Sequence, residues 1–396
     1  MSVKALSHIT VVDLSQNVAG AYAAKLMADF GAQVIKIESP QTGAMSRNID
    51  PSCVDQKKVE RDIPFLWLNT SKKSVTLNYN CIKGRGILEK IIKKADVLVE
   101  SFPPKVIKNY KLDYDTLRKT KPSLVQTSIS NFGQSGRYRD FEAEEIQLQA
   151  MSGMMHMTGE GDKSPLASGP AICHYSAGLH AYTATLMALF QRYKTGHGKH
   201  VDLSAQESSM ENIEISLSQQ LHQKITPKRG PHLGVPWSTY ECKDGYGVVI
   251  SMPARHWHQA HEIFNDPVLF NKKYEHIFGR IENRLEYEER ISKCIKKIQK
   301  KNLFYEGQKR KLAFGFVADL KEATELEQHE DREFFIEQGH PEGGSFKICG
   351  APFKMSETPA ESKKAPLFGE HNKKIYSGML GYSADELNHL QREGVI

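Results

Sequence analysis

A histidine stands where a long helical pattern begins. The run from Ser168 to Ser204 opens on the turn-forming Ser168-Gly169-Pro170, passes through apolar Ile172 and Cys173, and places His174 before or within the first turn of a helix. A loop-to-helix junction leaves backbone N–H groups without intrahelical partners, a setting that serves a reactive group or a bound anion. An imidazole there can be a base, a nucleophile or plain structure. Cys173 is formally a nucleophile as well, but its apolar flank points to a buried filler thiol. Lys72-Lys73 offers a pair of cations, although lysine pairs of this kind usually form a solvated face. The turn Gln16-Asn17-Val18-Ala19-Gly20 offers backbone donors able to hold a phosphate. With a single glycine and no GxGxxG, that turn does not support a nicotinamide cofactor. The six cysteines, at 53, 81, 173, 242, 294 and 349, show neither CxxC nor Cys/His metal spacing. They read as free thiols in a reducing compartment, with no metal site.

The elements that must position these groups follow from periodicity. Between His174 and the bulky end formed by Leu186, Met187, Leu189 and Phe190 lie mostly small residues, Ala177, Gly178, Ala181 and Ala184. This spacing predicts a buried helix that another segment approaches closely, stopping by Lys194-Thr195-Gly196. Residues 9–38 read strand, small-residue turn, helix over Ala21–Phe30 capped by Gly31, and second strand. Such a unit implies a parallel sheet with ligands beyond the strand carboxyl ends. Ser74–Leu77, Val97–Glu100 and Leu124–Ile129 continue the strands, and the alternation runs to about residue 210. After 222 the texture changes: a Pro/Gly linker over 227–236, a hairpin across Lys243-Asp244-Gly245, and charged helices over Glu282–Lys301 and Asp319–Gln328. The tail closes on an amphipathic helix over Ser383–Arg392 with an N-cap serine. Three parts are expected: a large domain over 1–222, a linker and small domain over 223–330, and a C-terminal part over 331–396 returning to the large domain.

At 396 residues, 39% hydrophobic and 25% charged, the chain is an ordinary globular one of more than one domain. A formal charge of +6 suits anionic small molecules, and no basic tract is dense enough to argue for nucleic acid. No apolar run reaches the length of a membrane span, and a cytoplasmic location is expected.

Taken in order and at their spacing, several stretches make the chain resemble the family III CoA-transferases, the CaiB/BaiF family of formyl-CoA and carnitine CoA-transferases. They are VVDLSQNVAGAYAAKLMADFGAQVIKIESP, FLWLNTSKKSVTLNYN, KKADVLVESFPP, AEEIQLQAMSG, MTGEGDKSPLASGPAICHYSAGLHA, KTGHGKHVDLS and the tail APLFGEHNKKIYSGMLGYSADELNHLQREGVI. The resemblance implies an α/β fold: a Rossmann-like large domain formed by both chain ends plus a small α+β domain, two chains interlocking as a dimer. It implies no permanently bound cofactor, with coenzyme A or acyl-CoA and a carboxylic acid as substrates or ligands. By the same resemblance Gln16, Asn17, Val18 and Ala19, the pair Lys72-Lys73, and Ser101-Phe102 with Lys108 line the CoA site. Ser39 and Ser101 stand where arginine and asparagine occur in relatives, and Arg47 is expected to compensate.

The family's chemistry uses an aspartate. Its carboxylate attacks the donor thioester, giving a mixed anhydride and CoA thiolate; the thiolate returns to form an enzyme thioester, and the acceptor acid takes the CoA. Counting from Gly169 to Gly178 places that aspartate at position 174, where this chain has histidine. Glu145 matches a glutamate used by formyl-CoA transferase, and a carboxylate near His174 is expected to favour an imidazolium suited to anion binding. The leading expectation is a chain that has lost its own nucleophile and works with a catalytic paralogue, as in benzylsuccinate-type heteromers. The alternatives are an autonomous transferase using His174, an α-methylacyl-CoA racemase-like enzyme, and a stand-alone acyl-CoA-binding protein. The racemase histidine position corresponds to Ala143-Glu144-Glu145. Gly230-Pro231-His232-Leu233-Gly234 is the nearest candidate for the family's glycine-rich lid.

Overall fold

In the computed structural model the described residues are 4–43, 62–230, 234–250, 256–341 and 344–396; Arg47 and positions 231–233 lie outside them. The chain divides into two compact units, one of residues 1–158, 166–227 and 330–396, the other of 159–165 and 228–329.

The first unit is built on six parallel strands, β1 (Thr10–Asp13), β2 (Gln33–Glu38), β3 (Lys73–Thr76), β4 (Val97–Glu100), β5 (Val125–Ser130) and β6 (His200–Ser204), in the order β3-β2-β1-β4-β5-β6. A parallel sheet is covered on both faces, so its strands read as near-continuous apolar runs. Neighbouring residues then serve opposite cores. Val11, Val34, Val97 and Val99 face one layer with α1 (Val18–Asp29) and the long helix Ile172–Thr195. Val12, Ile35 and Leu98 face the other, with α2 (Ile82–Lys93) and the tail residues Ile375, Tyr376, Leu390 and Val395. The α/β class with a Rossmann strand order is thus established. An antiparallel hairpin, Phe335–His340 with Gly344–Cys349, belongs to the same unit.

The second unit holds the antiparallel strands Ser238–Cys242, Gly245–Val249 and Gly315–Phe316 around their own core of Tyr240, Trp257, Tyr287, Ile291 and Leu303. The single helix expected over Glu282–Lys301 is two, Arg284–Ile295 and Lys300–Lys309. The hairpin turn interrupts it: Lys243 N–H donates to the Ile298 carbonyl at 2.9 Å, and Asp244 Oδ1 accepts Lys300 N–H at 2.7 Å. Those bonds replace the helical ones.

Two further expectations change. Val18-Ala19-Gly20 is not a turn but the first turn of α1, because the Asn17 side chain caps it, accepting Gly20 N–H at 3.0 Å. The helix starting at Ile172 is buried on one side only. Leu179, Met187, Phe190 and Tyr193 stand 47%, 68%, 65% and 89% exposed as one apolar stripe. Its small face behaves as expected: Gly178 lies against the first turn of α1, where an added Cβ would sit 2.6 Å from the Ala19 carbonyl oxygen.

Candidate active site

The strand order reverses direction between β1 and β4, and a doubly wound sheet opens its ligand crevice at that point, beyond the strand carboxyl ends. The two loops there are tied together: Gln16 N–H donates to Ser101 Oγ at 2.9 Å. Beneath them Asp13, which ends β1, folds the turn by accepting Ser15 N–H at 2.9 Å. Asp13 is fully buried with Lys36 and Lys72 at 3.5 and 2.9 Å. Burial works against its charge, but the two ammonium groups and Ser15 hold its carboxyl down to about 2. Glu100, which ends β4, accepts Phe102 N–H at 2.8 Å. Burial pushes the Glu100 carboxyl up to about 7, against hydrogen bonds from Ser128, Phe102 and Gln126.

His174 sits at the third position of the helix, after Ala171 in left-handed backbone at φ 63°. Such a conformation is uncommon for a residue with a Cβ and stores strain next to the site. Glu145, which opens the helix Glu145–Met151, caps this N-terminus: it accepts Cys173 N–H at 2.9 Å and His174 N–H at 3.4 Å. Gln149 extends the network, donating to Glu145 Oε1 at 2.8 Å and accepting Ser168 N–H at 2.8 Å. His174 Nε2 is 3.9 Å from Glu145 Oε2, while Nδ1 is enclosed without a hydrogen-bond partner among the described residues.

Glu145 and His174 are therefore neighbours, but the expected imidazolium is not found. Burial pushes the imidazole below its ordinary value, and the opposing pull of Glu145 and Glu144 is the weaker effect. Enclosure therefore favours the neutral imidazole over the charged one. Cys173 is fully buried, and burial first of all lifts its thiol to about 11, which makes it the inert filler expected. Beside them Tyr22 stacks on Trp67 and Tyr175 packs edge-on to both, with centroids 5.2–5.7 Å apart.

The other expected ligand residues are dispersed. Gln16, Asn17 and Val18 are half-buried at the strand-order reversal with Ser101 and Phe102, whereas Ala19 is fully buried against the Gly178 helix. Lys72 is a correction. Its side chain is fully buried, and the ammonium gives its three donors to Asp13 Oδ2, the Ala21 carbonyl and Asn69 Oδ1 at 2.9, 2.9 and 3.0 Å, so none is left for a phosphate. Lys73 points elsewhere, onto the Gln33 side chain at the amino end of the sheet. Lys108 is exposed beside a small crevice of about 160 Å³ lined by Gln126, Ser128 and His200. Asp13, Lys36 and Glu100 were missed by the sequence reading; their signal was charge at the ends of otherwise apolar strands. No group of metal-ligating side chains occurs among the described residues. No helix among them is long and apolar enough to cross a membrane.

Comparison with known proteins adds a family. The model described as CoA-transferase family III matches residues 6–372. Formyl-CoA:oxalate CoA-transferase of Streptomyces avermitilis is 31% identical over 99% of this chain and 100% of its own. Succinyl-CoA:glutarate CoA-transferase of Mus musculus is 30% identical over 100% of this chain and 91% of its own. In fold, a crystal structure of a CaiB/BaiF family protein from Brucella suis matches with a TM-score of 0.85 at 24% identity, covering 96% of this chain and 100% of that one.

Proposed function

The chain belongs to CoA-transferase family III, and from that membership we propose that it takes part in moving CoA between an acyl-CoA thioester and a carboxylic acid as a subunit without its own nucleophile. The loops at the strand-order reversal, Gln16 to Val18 and Ser101-Phe102, with Lys108 and Arg47, contact the CoA. A catalytic paralogue supplies the carboxylate. The two chains interlock, and the exposed stripe of Leu179, Met187, Phe190 and Tyr193 supports such an assembly, since apolar area of this kind is normally covered.

The observation that carries this reading is the capping of the 172–195 helix by Glu145. Covalent acyl chemistry at position 174 generates tetrahedral oxyanions, which need free donors aimed at them. Here the first-turn amides of Cys173 and His174 are already engaged by a carboxylate. A second reading, autonomous transfer through His174, is favoured by the neutral imidazole, the form able to attack a thioester or accept a proton.

The purified chain, assayed for CoA exchange between an acyl-CoA and its acid, is expected to be inactive, and hydroxylamine is expected to trap nothing on His174. His174→Asp is expected to gain no exchange, because the first-turn amides stay engaged by Glu145. A steady rate in the wild-type chain, abolished in His174→Ala, would instead establish the second reading.

A further inference from the structure

Because the six strands are parallel, the starts of β2 and β3 lie at the edge of the sheet opposite the reversal-point loops. Gln33 and Lys73, which begin those strands, line a cavity of about 480 Å³ there, together with the end of α1 and the segment around residues 361–374. None of its wall belongs to the site around His174.

The charges of this wall do not balance. Lys4 and Lys363 share Glu361 at 3.6 and 3.7 Å, and Lys364 pairs with Glu370 at 2.9 Å. Among the described residues Lys73 has only the Gln33 amide oxygen, and Lys374 forms no ion pair. Five ammonium groups thus face two carboxylates; Lys72 and Asp29 touch the same wall but are buried and paired internally. His371 adds an Nδ1 that is enclosed with no hydrogen-bond partner among the described residues. Burial holds both the Lys73 ammonium and the His371 imidazole below their ordinary values. Lys374 pushes each further down, as do Lys73 and Lys364 for His371, and only Glu370 opposes at the histidine. The wall is a set of mutually repelling cations, and an anion would relieve it.

We propose that this cavity is a binding site for an organic di- or triphosphate of the nucleoside phosphate class. Its cations are lysines throughout, point charges suited to the spread oxygens of a phosphate chain rather than forks suited to one planar carboxylate. The volume is within the range of small-molecule sites. It exceeds what a bare phosphate chain fills, and Ala28, Ala32 and Pro366 provide a partly apolar wall for an organic body.

The test is calorimetric titration of the full chain with ATP, ADP, inorganic tripolyphosphate and citrate. Saturable binding of ATP and ADP is expected, tighter than tripolyphosphate and much tighter than citrate, and weakening with salt. Lys364→Glu combined with Lys374→Glu is expected to abolish ATP binding while leaving acyl-CoA binding unchanged. Should that pair disturb folding, Lys374→Gln alone, at an exposed position, is expected to weaken ATP roughly tenfold, about the worth of one hydrogen bond to a charged group. No saturable ATP binding, equal affinity for tripolyphosphate, or ATP affinity unchanged in these variants would each overturn the proposal.

Discussion

Glu100 holds a carboxyl in the interior while its neighbour Ser101 ties the two loops at the strand-order reversal. Its folded value near 7 lies above the ordinary 4.5, so the stability it contributes is complete below about 4.5 and is lost as pH rises through about 7. Glu100→Gln keeps an acceptor for Phe102 N–H and cannot ionise. Unfolding free energies of this variant from denaturant titration are expected to match wild type near pH 4.5 and to exceed it by up to about 3 kcal/mol near pH 8. At the residue scale the sequence was partly legible. The count from Gly169 to Gly178 located His174, but its charge state depends on enclosure that spacing does not report. Lys72 and Lys73 looked like one pair of cations, yet consecutive residues entering a strand point to opposite sides. One went into the Asp13 cluster and the other to the sheet edge.

At the scale of elements, the contact between α1 and the helix from Ile172 sets where His174 stands. Gly178 permits it: an added Cβ would meet the Ala19 carbonyl oxygen at 2.6 Å and Tyr22 Cδ1 at 3.0 Å. Gly178→Ala gains up to about 1 kcal/mol of helix propensity, but the two helices must separate, a strain of about 1–3 kcal/mol. A lowered melting temperature is therefore expected by thermal unfolding, together with weaker acyl-CoA binding as the capped N-terminus shifts. The small-residue run announced this close approach in the sequence, just as apolar strands announced a doubly covered sheet. The break at Ile298 was not announced. It is caused by Lys243 and Asp244, more than fifty residues away, and no local pattern carries that information.

At the scale of the molecule, the apolar stripe on the 172–195 helix bears on assembly. Under the proposed assembly, replacing Met187 and Phe190 together, as Met187→Lys with Phe190→Glu, is expected to abolish co-elution with the partner chain in light scattering coupled to gel filtration, with far-ultraviolet dichroism retained. The strand-and-helix alternation made the large sheet readable, whereas the exposure of this stripe was not, since a fully buried helix carries the same apolar residues.

The second core layer has a consequence for biosynthesis. Its strands are all made by β6, yet it is sealed by Ile375, Tyr376, Leu390 and Val395, and Asn78 N–H reaches the Val395 carbonyl at 2.8 Å. Those residues emerge from the ribosome only after 228–329, a unit with its own core, has been translated. The nascent chain must carry a sheet greased on one face through that interval, so chaperone demand should concentrate there, and the later-encoded unit can finish folding before the earlier one.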